Sequence, residues 1–339
     1  LVGSAGNNML DGGSGTDSLV GGLGNDTYVI NTSADSIVEH ANEGIDTVNV
    51  LFSGYTLGAN IENGRISATS TTSTTSTTSI TGNSLSNTLY AGAGNNILNG
   101  GMGTETDTVS YADANSAVKV SLAITTSQAT LGSGSDTLVN IESLTGSNYN
   151  DSLTGSSGNN VLDGGAGDDS MAGGPGNDVY YIRQANDIVT ESTSAGTDTV
   201  YSYLASYTLG SNVENGRITS TGTANLIGNG HDNTIYAGAG NNVLNGNSGT
   251  DTLSYAYGLT STATAGVTVS LASTLPQATG GSGTDTLSGF ENLTGSSKND
   301  KLTGSTGNNV LDGGLGDDIL IGGPGKDMLV GGIITPALK

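Results

Sequence analysis

Apolar side chains recur singly along much of this chain, one in nine residues, flanked by polar residues and glycine. From Gly3 to Val29 the text runs GSAGNNMLD, GGSGTDSLV, GGLGNDTYV, with Leu10, Leu19 and Tyr28 at the eighth place of each block. The frame returns over residues 82–108, 146–181, 228–254 and 295–330, giving seventeen nonapeptides in five arrays. Neighbouring side chains of an extended segment point to opposite faces, so a polar-apolar-polar triplet predicts a three-residue strand with its central side chain inward. Glycines at the first, second and fourth places predict a tight turn, because glycine tolerates backbone angles closed to other residues. A fixed short period with so thin a core predicts a solenoid rather than a globule.

The arrays occupy 1–29, 82–108, 146–181, 228–254 and 295–332, separated by inserts at 30–81, 109–145, 182–227 and 255–294 and followed by a tail, 333–339. Alternation such as Val118-Lys119-Val120-Ser121-Leu122 and Val267-Thr268-Val269-Ser270-Leu271 predicts that the inserts are strands continuing or flanking the solenoid. The 30–81 insert matches the 182–227 insert at an offset of 152 residues, and the other two inserts match with an offset settling at 149. The chain therefore reads as two copies of one unit and the beginning of a third. The first offset falls to 146 across the Ser/Thr run Ser67 to Ser79, which reads as an added solvated loop. Leu1 and Val2 fill the last places of a repeat and Gly331-Gly332 open another, so both ends are expected to be fragment boundaries.

Each strand crosses the solenoid once, so consecutive turns fall on opposite edges and turns on one edge lie 18 residues apart. The sixth places then face one another: Asn8 with Asp26, Asp151 with Asp169, Asn160 with Asp178, Asn233 with Asp251, Asp300 with Asp318 and Asn309 with Asp327. Such pairs, with loop carbonyls, make an all-oxygen cage suited to a hard cation taking six to eight oxygens, calcium before magnesium. The candidate ligands are Asn8, Asp17 and Asp26; Asn87, Asn96 and either Glu105 or Asp107; Asp151, Asn160, Asp169 and Asp178; Asn233, Asn242 and Asp251; and Asp300, Asn309, Asp318 and Asp327. Asparagine offers oxygen without charge, so its sites are expected to be weaker. Asp46, Asp136, Asp198 and Asp285, in the inserts, are expected to add ligands at array ends. Glu62, Glu142, Glu214 and Glu291 are read as turn caps, with calcium ligation the alternative, and Arg65 and Arg217 as partners of Glu62 and Glu214.

Charge sharpens this picture. Asp and Glu number 31 against 8 Lys and Arg, a formal charge of −23, which repels nucleic acid and anionic membranes. An acidic chain with no Trp and two Phe would stay disordered unless its acids sat where a cation neutralises them. The absence of Cys removes disulfides and thiol chemistry, and no apolar run is long enough to insert in a membrane as a helix. His40 and His231 have no counterpart in the other copy, so both are expected to be exposed and no catalysis is expected. Tyr28, Tyr90, Tyr180 and Tyr236 are read as inward core residues.

On these repeats the chain resembles the RTX, hemolysin-type calcium-binding proteins exported by bacterial type I secretion. The resemblance implies an all-β fold, a right-handed parallel β-roll or β-helix solenoid, with Ca2+ bound along both edges. It also implies folding on calcium after secretion and a place outside the cell or on the bacterial surface. The duplication favours a structural or adhesive segment of a surface-layer, filament or adhesin protein, with self-association or cell-surface partners. The alternative is the calcium-triggered folding region of a larger exported protease, lipase or epimerase. An ice-binding solenoid is disfavoured because no Thr ladder recurs across the arrays.

Overall fold

The computed structural model describes residues 1–67 and 77–332; most of the expected Ser/Thr loop and the tail 333–339 lie outside the described residues. Every regular element among those residues is a strand, from two to six residues long. No helix there is long and apolar enough to cross a membrane. The chain forms two compact units: Leu1–Gly176 with Asn186–Ile188, and Asn177–Ala185 with the chain from Val189 onward.

Each unit is a parallel β-solenoid. In the first, one sheet stacks Met9–Asp11, Thr27–Ile30, Thr47–Val50, Asn63–Ile66, Thr88–Tyr90, Thr108–Ser110, Ser143–Thr145 and Val161–Asp163 as parallel neighbours. The intervening strands pair among themselves in separate sheets, as Ser18–Val20 does with Ser36–Val38 and Ser152–Thr154 with Ser170–Ala172. Alternate strands thus join alternate sheets. Within arrays the register is Leu10↔Tyr28 and Leu153↔Met171, the 18-residue step that the period predicts. The second unit repeats the plan, with Leu293↔Leu311 and Leu302↔Leu320.

The inserts are further turns of the same coil with other loop lengths. Tyr28 pairs with Val48, Val48 with Gly64 and Val109 with Leu144. One feature goes beyond the parallel expectation: Gln128–Leu131 folds antiparallel onto Gly134–Val139, and Gln277–Gly280 does the same onto Gly283–Ser288. The hairpin is fastened by Gln128, whose side chain accepts the N–H of Ser121 and donates to its carbonyl, both at 2.8 Å.

The core is one side chain deep. Tyr28, Val48, Leu89, Val109, Leu144 and Leu162 are fully buried down one sheet and Leu19, Leu98, Leu153 and Met171 on the other side. At about 1.5–3 kcal/mol for each large apolar side chain, this stack supplies much of the apolar stabilisation, and the four-residue strands add a second row at Ile30, Val50 and Ile182. Gly64 and Gly216 take the inward place of the Asn-Gly-Arg-Ile strands. A Cβ on Gly64 would run into Ile80 and Leu57, and one on Gly216 into Leu209 and Leu226, so neighbouring side chains fill the missing volume.

Three expectations need correction. Tyr28 and Tyr180 are buried, but Tyr90 and Tyr236 are half-exposed, because they hold the ninth place, where the pleat turns the side chain outward. Arg65 lies 4.1 Å over the Tyr90 ring and ion-pairs with Asp113 rather than Glu62, and Arg217 lies 4.0 Å over Tyr257. Leu329, expected inward, is 48% exposed, since no further turn among the described residues covers its strand.

Candidate metal centres

The nonapeptide turn is built by backbone angles that need glycine: in the 164–169 turn, Gly165 and Gly167 have φ of 89° and 123°. The sixth-place side chain is thereby tucked under the strand that follows. Asp26, Asp151, Asp169, Asp178 and Asp251 are each at most 3% exposed.

One carboxylate oxygen of each such residue reads the turn before it. Oδ1 of Asp26 accepts the N–H of Asn8 (2.6 Å), Asp35 that of Asp17 (3.1 Å), Asp169 that of Asp151 (2.8 Å), Asp251 that of Asn233 (2.7 Å), Asp318 that of Asp300 (2.8 Å) and Asp327 that of Asn309 (3.0 Å). The facing pairs inside each unit therefore come together; Asn160 lies in the first unit and Asp178 in the second, both buried. The other oxygen is left over. Oδ2 of Asp17, Asp26, Asp169, Asp198, Asp251 and Asp318 is buried without a hydrogen-bond partner. Beside it, the first-place glycine leaves room that no Cβ fills: a Cβ on Gly164 would strike Asp169 Oδ2, and one on Gly246 both Asp251 Oδ2 and the carbonyl of Gly289. An orphaned anionic oxygen costs several kcal/mol in a dry site, and a hollow lined by carboxylate and carbonyl oxygens is a cation's coordination shell.

The family model for the RTX calcium-binding nonapeptide repeat matches residues 1–28, 80–106, 145–180, 219–255 and 294–329. These five stretches are RTX repeats. The repeat is a calcium-binding motif, and Ca2+ fits the orphaned oxygens and glycine hollows just described. Among curated proteins no sequence matches the chain.

The inserts of the RTX solenoid carry the same ladder onward. Asp46, Asp136, Asp198 and Asp285 accept the N–H of Asp26, Asn96, Asp178 and Asn242 at 2.7–2.8 Å, the place that a sixth-position Asp would hold. Glu62, Glu142, Glu214 and Glu291 then accept the N–H of Asp46, Asp107, Asp198 and Asp251 at 2.8–3.0 Å. The ambiguity in the second array also resolves in position: Asp107 is buried and takes the N–H of Asn87 at 2.8 Å, whereas Glu105 is exposed.

The asparagines behave differently from the aspartates. Asn87 Nδ2 donates to the carbonyls of Ile61 and Glu62, Asn233 Nδ2 to those of Val213 and Glu214, Asn160 Nδ2 to Glu142 and Asn309 Nδ2 to Glu291. Their Oδ1 accepts an N–H of their own turn, from Asn83, Asn229, Ser156 and Ser305, as Asn8 Oδ1 does from Ser4. These amides reach the preceding Glu turn with a donor, where an aspartate would need a cation between. Asn96 and Asn242 are exceptions whose buried Oδ1 has no partner. Asp151 and Asp300 also differ: the backbone and hydroxyl of Ser147 and Ser296 occupy their carboxylates, and the N–H of Val118 and Val267 binds Oδ1.

Burial sets the electrostatics. It pushes the carboxyl of Asp169 up to about 6, with the charges of Asp151, Asp187 and Asp163 adding to the effect. Asp107, Asp198, Asp251 and Asp285 also rise to about 6, burial being the chief cause in each. Sequence reasoning missed Asp35 and Asp187, although each follows an array Asp by 18 residues, the period that defined the pairs. It also missed Glu39 and Glu191, buried glutamates that receive the hydroxyls of Tyr28 and Tyr180.

Proposed function

We propose that this chain is a calcium-dependent structural or adhesive segment of an exported bacterial protein, folding outside the cell when its turns load with Ca2+. The observation that carries this reading is the set of buried, unpartnered Oδ2 atoms at Asp17, Asp26, Asp169, Asp251 and Asp318, each beside the glycine hollow of a turn. In this reading the ions sit on those oxygens and on loop carbonyls, with Asp178 and Asp327 serving alike by their place in the repeat. Asn96 and Asn242 contribute Oδ1, while Asn8, Asn87, Asn160, Asn233 and Asn309 serve the turns themselves. Ligand affinity on the order of 10⁻⁴ to 10⁻³ M, usual for extracellular calcium modules, would keep the chain unfolded in a calcium-poor cytoplasm and fold it after export.

The duplication supports extension rather than chemistry. His40 and His231 are exposed, and the buried carboxylates are accounted for by the turn ladder. Circular dichroism of the chain in EDTA and then in millimolar CaCl2 tests the reading. Strand signal that appears with calcium supports it; equal strand content in both, or an equal response to MgCl2, refutes it.

A further inference from the structure

The turn between Val38 and Asp46 breaks the nonapeptide rule in one place. Val38 pairs with Val20, so Glu39 takes the first place of its turn, where the neighbouring turn has Gly21. The hollow beside Gly21 is where Asp26 Oδ2, the Tyr28 hydroxyl and Glu39 Oε1 meet, since a Cβ added there would collide with all three. Asp26, Glu39 and Asp46 are 1%, 7% and 1% exposed, and one carboxylate oxygen from each lies within 4.8 Å of the others.

Three of the six oxygens have donors: Asp26 Oδ1 has the N–H of Asn8, Asp46 Oδ1 that of Asp26 and Glu39 Oε1 the hydroxyl of Tyr28. Asp26 Oδ2 and Glu39 Oε2 are buried and have none. No Lys or Arg among the described residues forms an ion pair with the three carboxylates. The arrangement recurs in the second unit, where Asp178, Glu191 and Asp198 gather within 4.8 Å and the Tyr180 hydroxyl donates to Glu191.

We propose that Asp26, Glu39 and Asp46 form a closed three-carboxylate site for a hard cation of calcium's size, with Tyr28 orienting Glu39, and that Asp178, Glu191, Asp198 and Tyr180 form its copy. The site differs from the array turns because its third carboxylate replaces a glycine hollow with a charged ligand. Calcium affinity rises with the number of anionic ligands, so these two sites bind more tightly than the array turns and fill first. Each then secures the junction of an array with its insert before the arrays load.

These two sites can be told from the array sites without reference to folding as a whole, because each has a tyrosine hydroxyl on its glutamate. The probes are Ca2+ by calorimetry and Tb3+ by luminescence excited through tyrosine, on the full chain in which Glu39→Gln and Glu191→Gln are combined. The Gln pair keeps shape and removes charge. The expected result is loss of the two tightest calcium equivalents, with affinity there at least tenfold weaker, and a fall in sensitised terbium emission, while millimolar calcium still folds the chain. Unchanged ion count and affinity, with a metal-free form that becomes more stable, would show carboxyls sharing protons and overturn the proposal. If the Gln pair fails to fold, Tyr28→Phe with Tyr180→Phe decides: reduced terbium emission at an unchanged ion count supports the site, and unchanged emission overturns it.

Discussion

Two kinds of turn share the same frame, and they differ in whether the sixth-place side chain meets all its partners within the protein. At Asp169 one oxygen holds the N–H of Asp151 and the other is buried with nothing to meet it. At Asn233 the same place is self-sufficient, with Oδ1 on the N–H of Asn229 and Nδ2 on two carbonyls of the turn before. An amide carries its own donor, and a carboxylate must borrow positive charge. Their order is regular: Asn8 leads through Asp26 and Asp46 to Glu62, Asn87 through Asp107 to Glu142, and Asn233 through Asp251 to Glu291. These three runs open on an amide and close on a glutamate, whereas the run through Asp151, Asp169 and Asp187 has neither.

The largest test of this contrast is removal of the ion. With one or two inward side chains per strand, the apolar core does not outweigh a backbone ordering cost of about 1–2 kcal/mol per residue, and EDTA should abolish most of the strand signal. Retention of the native spectrum in EDTA would show that the aspartate turns are as self-sufficient as the asparagine turns.

Acid should partly replace the metal. The folded, ion-free carboxyls of Asp107, Asp169, Asp198, Asp251 and Asp285 are pushed up to about 6 by burial, above the ordinary value of 3.8. Their raised values favour folding while the groups are neutral; that contribution is fully present below about 3.8 and is lost as pH rises through about 6. In EDTA, strand content should therefore be higher at pH 4 than at pH 7. In saturating calcium the order should reverse, because protons compete with the ion. A chain in EDTA that is more ordered at pH 7 would contradict the burial argument.

Next in size is a single aspartate. Asp169→Ala removes the orphaned oxygen together with the acceptor for the N–H of Asp151. The calcium midpoint of folding should rise by about tenfold, equivalent to about 1.4 kcal/mol. Asp151→Ala should shift it less, since the Asp151 carboxylate is already occupied by Ser147 and Val118. Equal shifts would mean that the hydrogen-bonded carboxylate serves the ion as well as the orphan does.

The strand triplets, the 18-residue pairing and the calcium motif were legible in the sequence because they follow from a strict period. Leu10↔Tyr28 and Asn8 beneath Asp26 are geometry that counting alone supplies. What escaped depended on loops of other lengths. Glu39 was missed because it enters from an insert turn, and although Asp46 and Asp136 were expected as array-end ligands, their partners Asp26 and Asn96 lie 20 and 40 residues away, off the 18-residue step. The outward setting of Tyr90 and the inward glycine at Gly64 also needed the pleat to be placed to the residue. The donor bonds of the asparagines were not legible either, because the residue type shows an amide oxygen at the ligand place and not which carbonyls its Nδ2 will reach.

The smallest calcium effect should come from an asparagine, and it decides whether the contrast holds. Asn233→Ala strips the donor from the carbonyls of Val213 and Glu214 and the acceptor from the N–H of Asn229, while the backbone N–H of residue 233 still reaches Asp251. Buried groups left without partners cost about 1–3 kcal/mol, so thermal stability should fall by several degrees at every calcium concentration that folds the chain. The cost is the same with or without excess metal, because the lost bonds are protein to protein. In a titration corrected for that loss, the remaining change in calcium midpoint should be under about twofold, against the tenfold shift for Asp169→Ala. A corrected shift as large as that of the aspartate would make Asn233 a metal ligand, and the division into self-sufficient and metal-dependent turns would fail at its plainest example.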